Sequence, residues 1–288
     1  MAKTLDLRRR IRSIRNTMQV TKAMKMVSAA KLRRAQERIV QARPYAHRMR
    51  EVLRSLATRA NPEGHPLLRV RGDRRVELVV VTADKGLCGS FNTNLYKTAT
   101  SFLERFGDRE ITVHCVGRKG RDYFRRRNYA VHREWVDVFR RLDYPTAAEI
   151  ARDLMDRYVR QELDAVYVVY NEFKSLLRQQ PVVERLLPLD REELAAGESR
   201  EDYLYEPGAA ELFDRLLPLH VEVQVYRALL ESAAAEHAAR MRAMDSATNN
   251  AAEFIEKLTL QMNRIRQASI TTELIEVVSG AEALGEFA

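Results

Sequence analysis

The chain has 288 residues, 45% of them hydrophobic and 31% charged, with a formal net charge of +9. That is enough apolar content for a core, while no apolar run reaches the roughly 18 residues that cross a bilayer. Two cysteines with no CxxC, and six scattered histidines with no HxxxH or HExxH, argue against a disulfide framework and a structural zinc site.

The charge is unevenly placed. Residues 1–60 hold 17 Lys/Arg against Asp6, Glu37 and Glu51, a net +14, which leaves −5 on the remainder. A surface this basic suits an acidic partner. The start lacks the uninterrupted apolar segment of a secretory signal. Its Arg-rich pattern continues far beyond any transit-peptide cleavage site, so it reads as mature protein.

Residues 1–43 contain neither Gly nor Pro. Apolar or small residues recur in steps of three or four, from Leu7, Ile11, Ile14 and Met18 to Met49, Leu53 and Leu56. That is one stripe on a helix over 3–58, about 84 Å long at 1.5 Å per residue. Pro44 predicts a kink or an irregular turn.

The middle alternates strand and helix. Strands are expected at 76–82, 111–117 and 165–173, and helices at 91–106 and 146–163, with a basic helix beginning at Lys119. QQPVVERLLPL reads as the return arm of a hairpin after 165–173. The alternation implies a mostly parallel sheet, a Rossmann-like α/β domain. Residues 190–202 form an acidic surface loop.

At the other end, no Gly or Pro occurs between Pro218 and Gly280. Ala251, Ile255, Leu258, Met262 and Ile265 keep a coiled-coil seam spacing, and ESAAAEHAAR (231–240) lets another backbone approach closely. A helix over 210–284 would exceed roughly 110 Å. Two such helices bury both stripes most simply by pairing antiparallel. The fold class is therefore α/β: a long antiparallel coiled coil plus a central domain, divided as 1–60, 70–206 and 208–288. Thr21, Ser28, Thr248, Ser269 and Thr272 weaken the seam, which hints that these faces meet other surfaces too.

The loop Gly86-Leu87-Cys88-Gly89-Ser90 follows a strand and precedes a helix, where α/β folds hold phosphate. It lacks GxGxxG, the chain lacks GxxxxGK[ST], and the loop is not the G-x-S-x-G of a nucleophile elbow. Gly86 and Gly89 read as turn formers and Asp84 as a cap. No catalytic, cofactor or metal set emerges. A nucleic-acid binder would interleave aromatics with its basic residues, but residues 1–60 offer only Tyr45. An arm on an enzyme lacks a catalytic motif. A third reading is a mechanical element, a long shaft with a globular body inserted into a larger acidic assembly; retention on nucleic acid, turnover by the isolated chain and co-purification with a large ring would favour the three readings in turn.

Four stretches carry a family resemblance: IRSIRNTMQVTKAMKMVSAAKLRRAQ near the start, TADKGLCGSFNTNL, DYLYEP at 202–207, and the block AEHAARMRAMDSATNNAAEFIEKLTLQMNRIRQASITTELIEVVSGAEAL. Together they resemble the gamma subunit of F-type ATP synthases. The resemblance implies a non-catalytic rotor shaft without cofactor, coupling proton flow to ATP synthesis. Implied partners are the hexamer of alpha and beta subunits, the epsilon subunit and the c ring. Met24, Lys25, Lys31, Arg33 and Arg34 would lie near the beta levers, with Cys88 in a loop within their reach. Arg266, Gln267 and Thr271 would contact the beta catch, and residues 272–288 would enter an apolar bearing. Tyr203, Leu204 and Tyr205 would form the foot against the c ring and epsilon. The chain lacks the inserted cysteine pair of chloroplast members. It is expected at the cytoplasmic side of a bacterial plasma membrane, as a peripheral subunit with no membrane span of its own.

Overall fold

The structure, a computed structural model, describes residues 2–57, 65–107, 109–190, 205–206 and 208–285; for residues 2, 3 and 280–285 it describes the backbone alone. Helix α1 spans Ala2–Ala57. Then come β1 (Arg75–Val81), α2 (Phe91–Glu104), β2 (Glu110–Val116), α3 (Arg118–Arg125), β3 (Val131–Trp135), α4 (Tyr144–Val159), β4 (Ala165–Phe173) and β5 (Gln179–Leu187). Helix α5, Ala209–Gly285, closes the described chain; its 77 residues correspond to about 115 Å.

Contacts divide the chain into two compact units, Met1–Val27 with Met241–Ala288, and Ser28–Arg240. Both long helices run through both units.

In the first unit, Leu7, Ile11 and Thr21 of α1 are buried, as is Ala251 of α5. The direction of pairing is set by two contacts. Thr21 and Thr248 bring their hydroxyls to 2.8 Å, and Lys25 Nζ lies 2.5 Å from Asp245 Oδ1. Numbers rise on one helix as they fall on the other, so the helices are antiparallel. The threonine pair also explains two of the polar seam positions. Thr248 also reaches the Met244 carbonyl at 2.7 Å and Thr21 the Met18 carbonyl at 3.0 Å, so either hydroxyl can donate to the other while its partner donates along its own helix. A buried polar pair satisfied in this way costs little and pins the register.

Pro44 does not break α1, which is helical without interruption from Ala2 to Ala57. The expected irregular turn is absent because Pro44 lies on an exposed face. There water can take up the carbonyl one turn earlier that the missing N–H leaves unpaired.

The second unit holds a five-stranded sheet in the order β3-β2-β1-β4-β5. β1, β2, β3 and β4 are parallel and β5 runs antiparallel to β4. β3 is an element the sequence reading missed. It is a short edge strand with Arg133 and Glu134 among its five residues, too polar to read as a run. α4 begins at Tyr144, two residues earlier than expected. Asp143 caps it by accepting from the Thr146 N–H at 3.2 Å, and Pro145 occupies the first turn.

One core cluster joins Leu32, Ala35, Ile39, Leu53 and Leu56 of α1 to α4, one sheet face and α5. The other lies under α2 and α3 on the opposite face, and also reaches α5 through Ala235 and Ala239.

The turn after β2 is tight. Gly117 has φ +102, and a Cβ there would lie 2.1 Å from the Thr82 carbonyl oxygen. Gly72, at φ +97, has open space around it. Gly117→Ala should therefore cost well over the roughly 1 kcal/mol of conformational strain expected for Gly72→Ala. Chemical denaturation of the two variants tests this; equal losses would contradict the close approach.

Candidate functional site

In an open α/β sheet, ligands bind outside the carboxyl ends of the strands where strand order reverses. Here β1 is flanked by β2, which follows it, and by β4, which comes after two intervening strands, so the crevice belongs to the ends of β1 and β4. That crevice is filled by the chain itself. Glu231 of α5 accepts from the Phe173 N–H at the end of β4, at 2.9 Å. Ser232 reaches the Val81 carbonyl at the end of β1, at 3.5 Å. Arg240 donates to the carbonyls of Lys85 and Gly86, both at 3.3 Å.

The glycine loop is tied equally firmly on its other side. Thr82 Oγ1 accepts from the Gly120 N–H at 2.8 Å, and the Ala83 carbonyl accepts from Lys119 N at 3.1 Å. One Asp84 oxygen accepts from the N–H groups of Arg118 and Asp137, each at 3.0 Å. The donors at the start of α3 that could cradle an anion are thus taken by Thr82, Ala83 and Asp84. Asn92 holds the loop from within, accepting from Ala83 N at 3.1 Å and donating to Cys88 Sγ at 3.4 Å. The loop presents Leu87 outward, 64% exposed at φ 61.

Arg240 is itself held by Glu236 at 2.6 Å, with both side chains nearly buried. Burial pushes the Glu236 carboxyl above the usual range, against the opposing pull of Arg240. Burial, with Arg240 and Lys31 nearby, lowers His237 to about 4. Burial also raises both thiols, Cys115 to about 12, which keeps them protonated and unreactive at neutral pH.

The residues expected to meet partners fall into three groups. In the first unit, Met24 is half-buried and Lys25 is paired with Asp245. Arg266, Gln267 and Thr271 are exposed. In the second unit, Lys31, Arg33 and Arg34 are exposed, Arg33 pairing with Glu37 at 3.1 Å. Cys88 needs correction as a contact residue. At 2% exposure it sits in the core and acts on a surface only through the loop it anchors. Tyr203 and Leu204 lie outside the described residues. Tyr205 is half-buried, its hydroxyl 2.5 Å from Ser55 Oγ. Glu231, Ser232 and Arg240 were missed. Their signal was faint: polar residues embedded in an alanine run.

Beyond Ser269 the described side chains of α5 are all exposed, through Ser279. Ile270, Leu274, Ile275, Val277 and Val278 are each about half exposed or more. Continuing the antiparallel register places the first turn of α1, residues 2–5, level with residues 264–268. Past that level α5 runs on without a helical partner among the described residues.

This geometry defines a protein that works by contact: two long antiparallel helices with an α/β body whose ligand crevice is closed by its own helix. A family model described as ATP synthase matches residues 3–284. The ATP synthase gamma chain of Solibacter usitatus (strain Ellin6076) is 55% identical over 287 residues, covering 98% of this chain and 99% of that one. That of Geobacter metallireducens (strain ATCC 53774 / DSM 7210 / GS-15) is 51% identical, covering 99% of each. Among solved structures, a central stalk/c-ring structure of the Tetrahymena thermophila mitochondrial ATP synthase matches with TM-score 0.61 at 28% identity, over 79% of this chain and 99% of that one. A chain of the Euglena gracilis mitochondrial ATP synthase shares the fold, with TM-score 0.71 at 19% identity over 98% of this chain and 95% of that one. The chain belongs to the ATP synthase gamma-chain family. No described helix is long and apolar enough to cross a membrane.

Arg240→Met would strand Glu236 as a buried charge, at a cost of roughly 3 kcal/mol in unfolding free energy. Adding Glu236→Gln should recover at least half of that loss. A double variant no better than the single one would contradict the pair's role. His237 adds a pH dependence. Its folded pKa, about 4, lies below the ordinary 6.5, so its contribution is complete above pH 6.5 and is lost as pH falls toward 4. Glu236, with a raised pKa, acts in the opposite sense. Between pH 7 and 4.5, His237→Gln should flatten the decline of stability; an unchanged slope would contradict the assignment.

Proposed function

We propose that this chain is the central rotor shaft of a proton-translocating ATP synthase, turned by a membrane ring and driving the catalytic hexamer. The observation that carries the reading is the end of α5. An apolar helix surface of Ile270, Leu274, Ile275, Val277 and Val278 that no described residue covers is unfavourable in water. It suits a surrounding apolar sleeve, which offers burial without directional bonds. Such contact is equally good at every angle of rotation.

Below that end the surface changes character. Arg266, Gln267 and Thr271 offer hydrogen bonds to a catch loop of the beta subunits. Lys25, Lys31, Arg33 and Arg34 face acidic lever loops, where charge acts over several ångströms without a single locked contact. The exposed Leu87 of the glycine loop lies on a turn fixed from two sides, suited to transmitting a push. Tyr203, Leu204 and Tyr205 form the foot against the c ring and the epsilon subunit. The chain is peripheral, on the cytoplasmic side of a bacterial plasma membrane, and makes no ATP itself.

Removing the residues after Ile270 takes away, among the described side chains, only exposed ones and leaves the described helix pairing intact. The truncated chain should still co-purify with the alpha and beta subunits but generate less torque. Failure to co-purify would make this end an assembly determinant and contradict its role as a bearing.

A further inference from the structure

A second concave region has no place in the rotary reading. In the Ser28–Arg240 unit, α1, β5 and α5 enclose a cavity of about 330 Å³, within the ~300–1,000 Å³ typical of small-ligand sites. Three arginines turn their side chains to it: Arg50 and Arg54 one turn apart on α1, and Arg227 on α5, while Arg185 of β5 borders it but sends its guanidinium to the opposite sheet face, over the Tyr167 ring. The carboxylates on its wall are Glu184 and Asp190, leaving one positive charge in excess.

These charges are unevenly used. Glu184 is already engaged by Arg227 at 2.6 Å and by the Tyr170 hydroxyl at 2.8 Å. Arg50 donates from Nε to a carbonyl of its own helix, Ala46 at 3.3 Å. Arg54 has no carboxylate partner among the described residues. Arg227 Nε is buried and meets no acceptor among the described residues. Three guanidiniums against two carboxylates leave their mutual repulsion only partly offset across so small a space, and an anion between them would complete the balance.

The polar floor fits the same ligand. His220 is buried and 3.3 Å from Gln224 Nε2. Burial, reinforced by Arg50 and Arg227, lowers it to about 4, so it remains neutral and adds no further positive charge. With its Nε2 accepting from Gln224, its proton sits on Nδ1.

We infer that this cavity binds a phosphate-bearing anion, held by Arg50, Arg54 and Arg227 with Gln224 at its floor. Guanidiniums arriving from two facing helices grip a tetrahedral oxyanion from opposite sides, each offering paired donors. The volume admits a diphosphate or a phosphate diester head as well as a single phosphate. This site is independent of the shaft role and of the α5 end.

Calorimetry on the full chain with inorganic pyrophosphate, at constant ionic strength, tests it. Flotation with phosphatidylglycerol vesicles, and with phosphatidylcholine vesicles as a control, separates a soluble phosphate from a lipid headgroup. Saturable pyrophosphate binding, weakened at least about tenfold in Arg50→Gln/Arg54→Gln, supports a soluble ligand. Phosphatidylglycerol-specific flotation lost in the same variant supports a lipid phosphate. Both must survive in Arg8→Gln/Arg9→Gln, which removes the same charge elsewhere. Should the first variant misfold by circular dichroism, Arg54→Gln alone serves in its place. No saturable binding of either probe, or equal loss in the control variant, would overturn the proposal.

Discussion

The body of this protein depends on one constraint: α5 must stay thin where it passes the carboxyl end of the sheet. Ala233, Ala234 and Ala238 pack into the cluster shared with α1 and α4, while Ala235 and Ala239 pack into the cluster under α2 and α3. Both cores therefore approach the same two turns of helix from different sides. A larger side chain at any of these positions would have to displace sheet or helix backbone, which closely packed interiors resist. The polar residues within the run, Glu231, Ser232, Glu236 and Arg240, then close the remaining gaps by satisfying backbone groups at the ends of β1 and β4 and in the loop after β1.

That packing explains why an α/β body without chemistry retains the layout of a nucleotide-binding one. Strand order, parallel pairing and a glycine-containing turn after β1 are all present. The space a ligand would take is filled by a helix, and the N–H groups at the start of α3 are consumed by Thr82, Ala83 and Asp84. The glycine loop is consequently rigid. Its residues serve the shape of a surface, with Cys88 buried beneath it and Leu87 outward.

Much of this was legible beforehand, for physical reasons. Long helices announce themselves through steps of three and four, and every position assigned to the α1 stripe is buried or half-buried. Central strands such as β1 are apolar on both faces and read as runs. The missing signatures at Gly86–Ser90 turned the reading away from a phosphate cradle, and in the structure the loop is tied to α5 and α3 instead. What escaped was whatever depends on contact between distant segments. β3 is polar because it lies at an edge. Pro44 is tolerated because its face of α1 is exposed. The burial of Cys88, the clamp from Arg240 and the arginine-lined cavity between α1, β5 and α5 each join residues far apart in sequence, and no local pattern marks them.

A firmly tied body and a helix end that no described residue covers suit a part that transmits force. The most direct measurement is single-molecule rotation. An alpha/beta hexamer lacking its own gamma subunit is reconstituted with this chain, the hexamer is fixed to a surface, and a bead is attached to the exposed body. The account predicts that ATP drives sustained rotation of the bead in one direction. A chain that binds the hexamer and permits ATP hydrolysis while the bead remains still would contradict it.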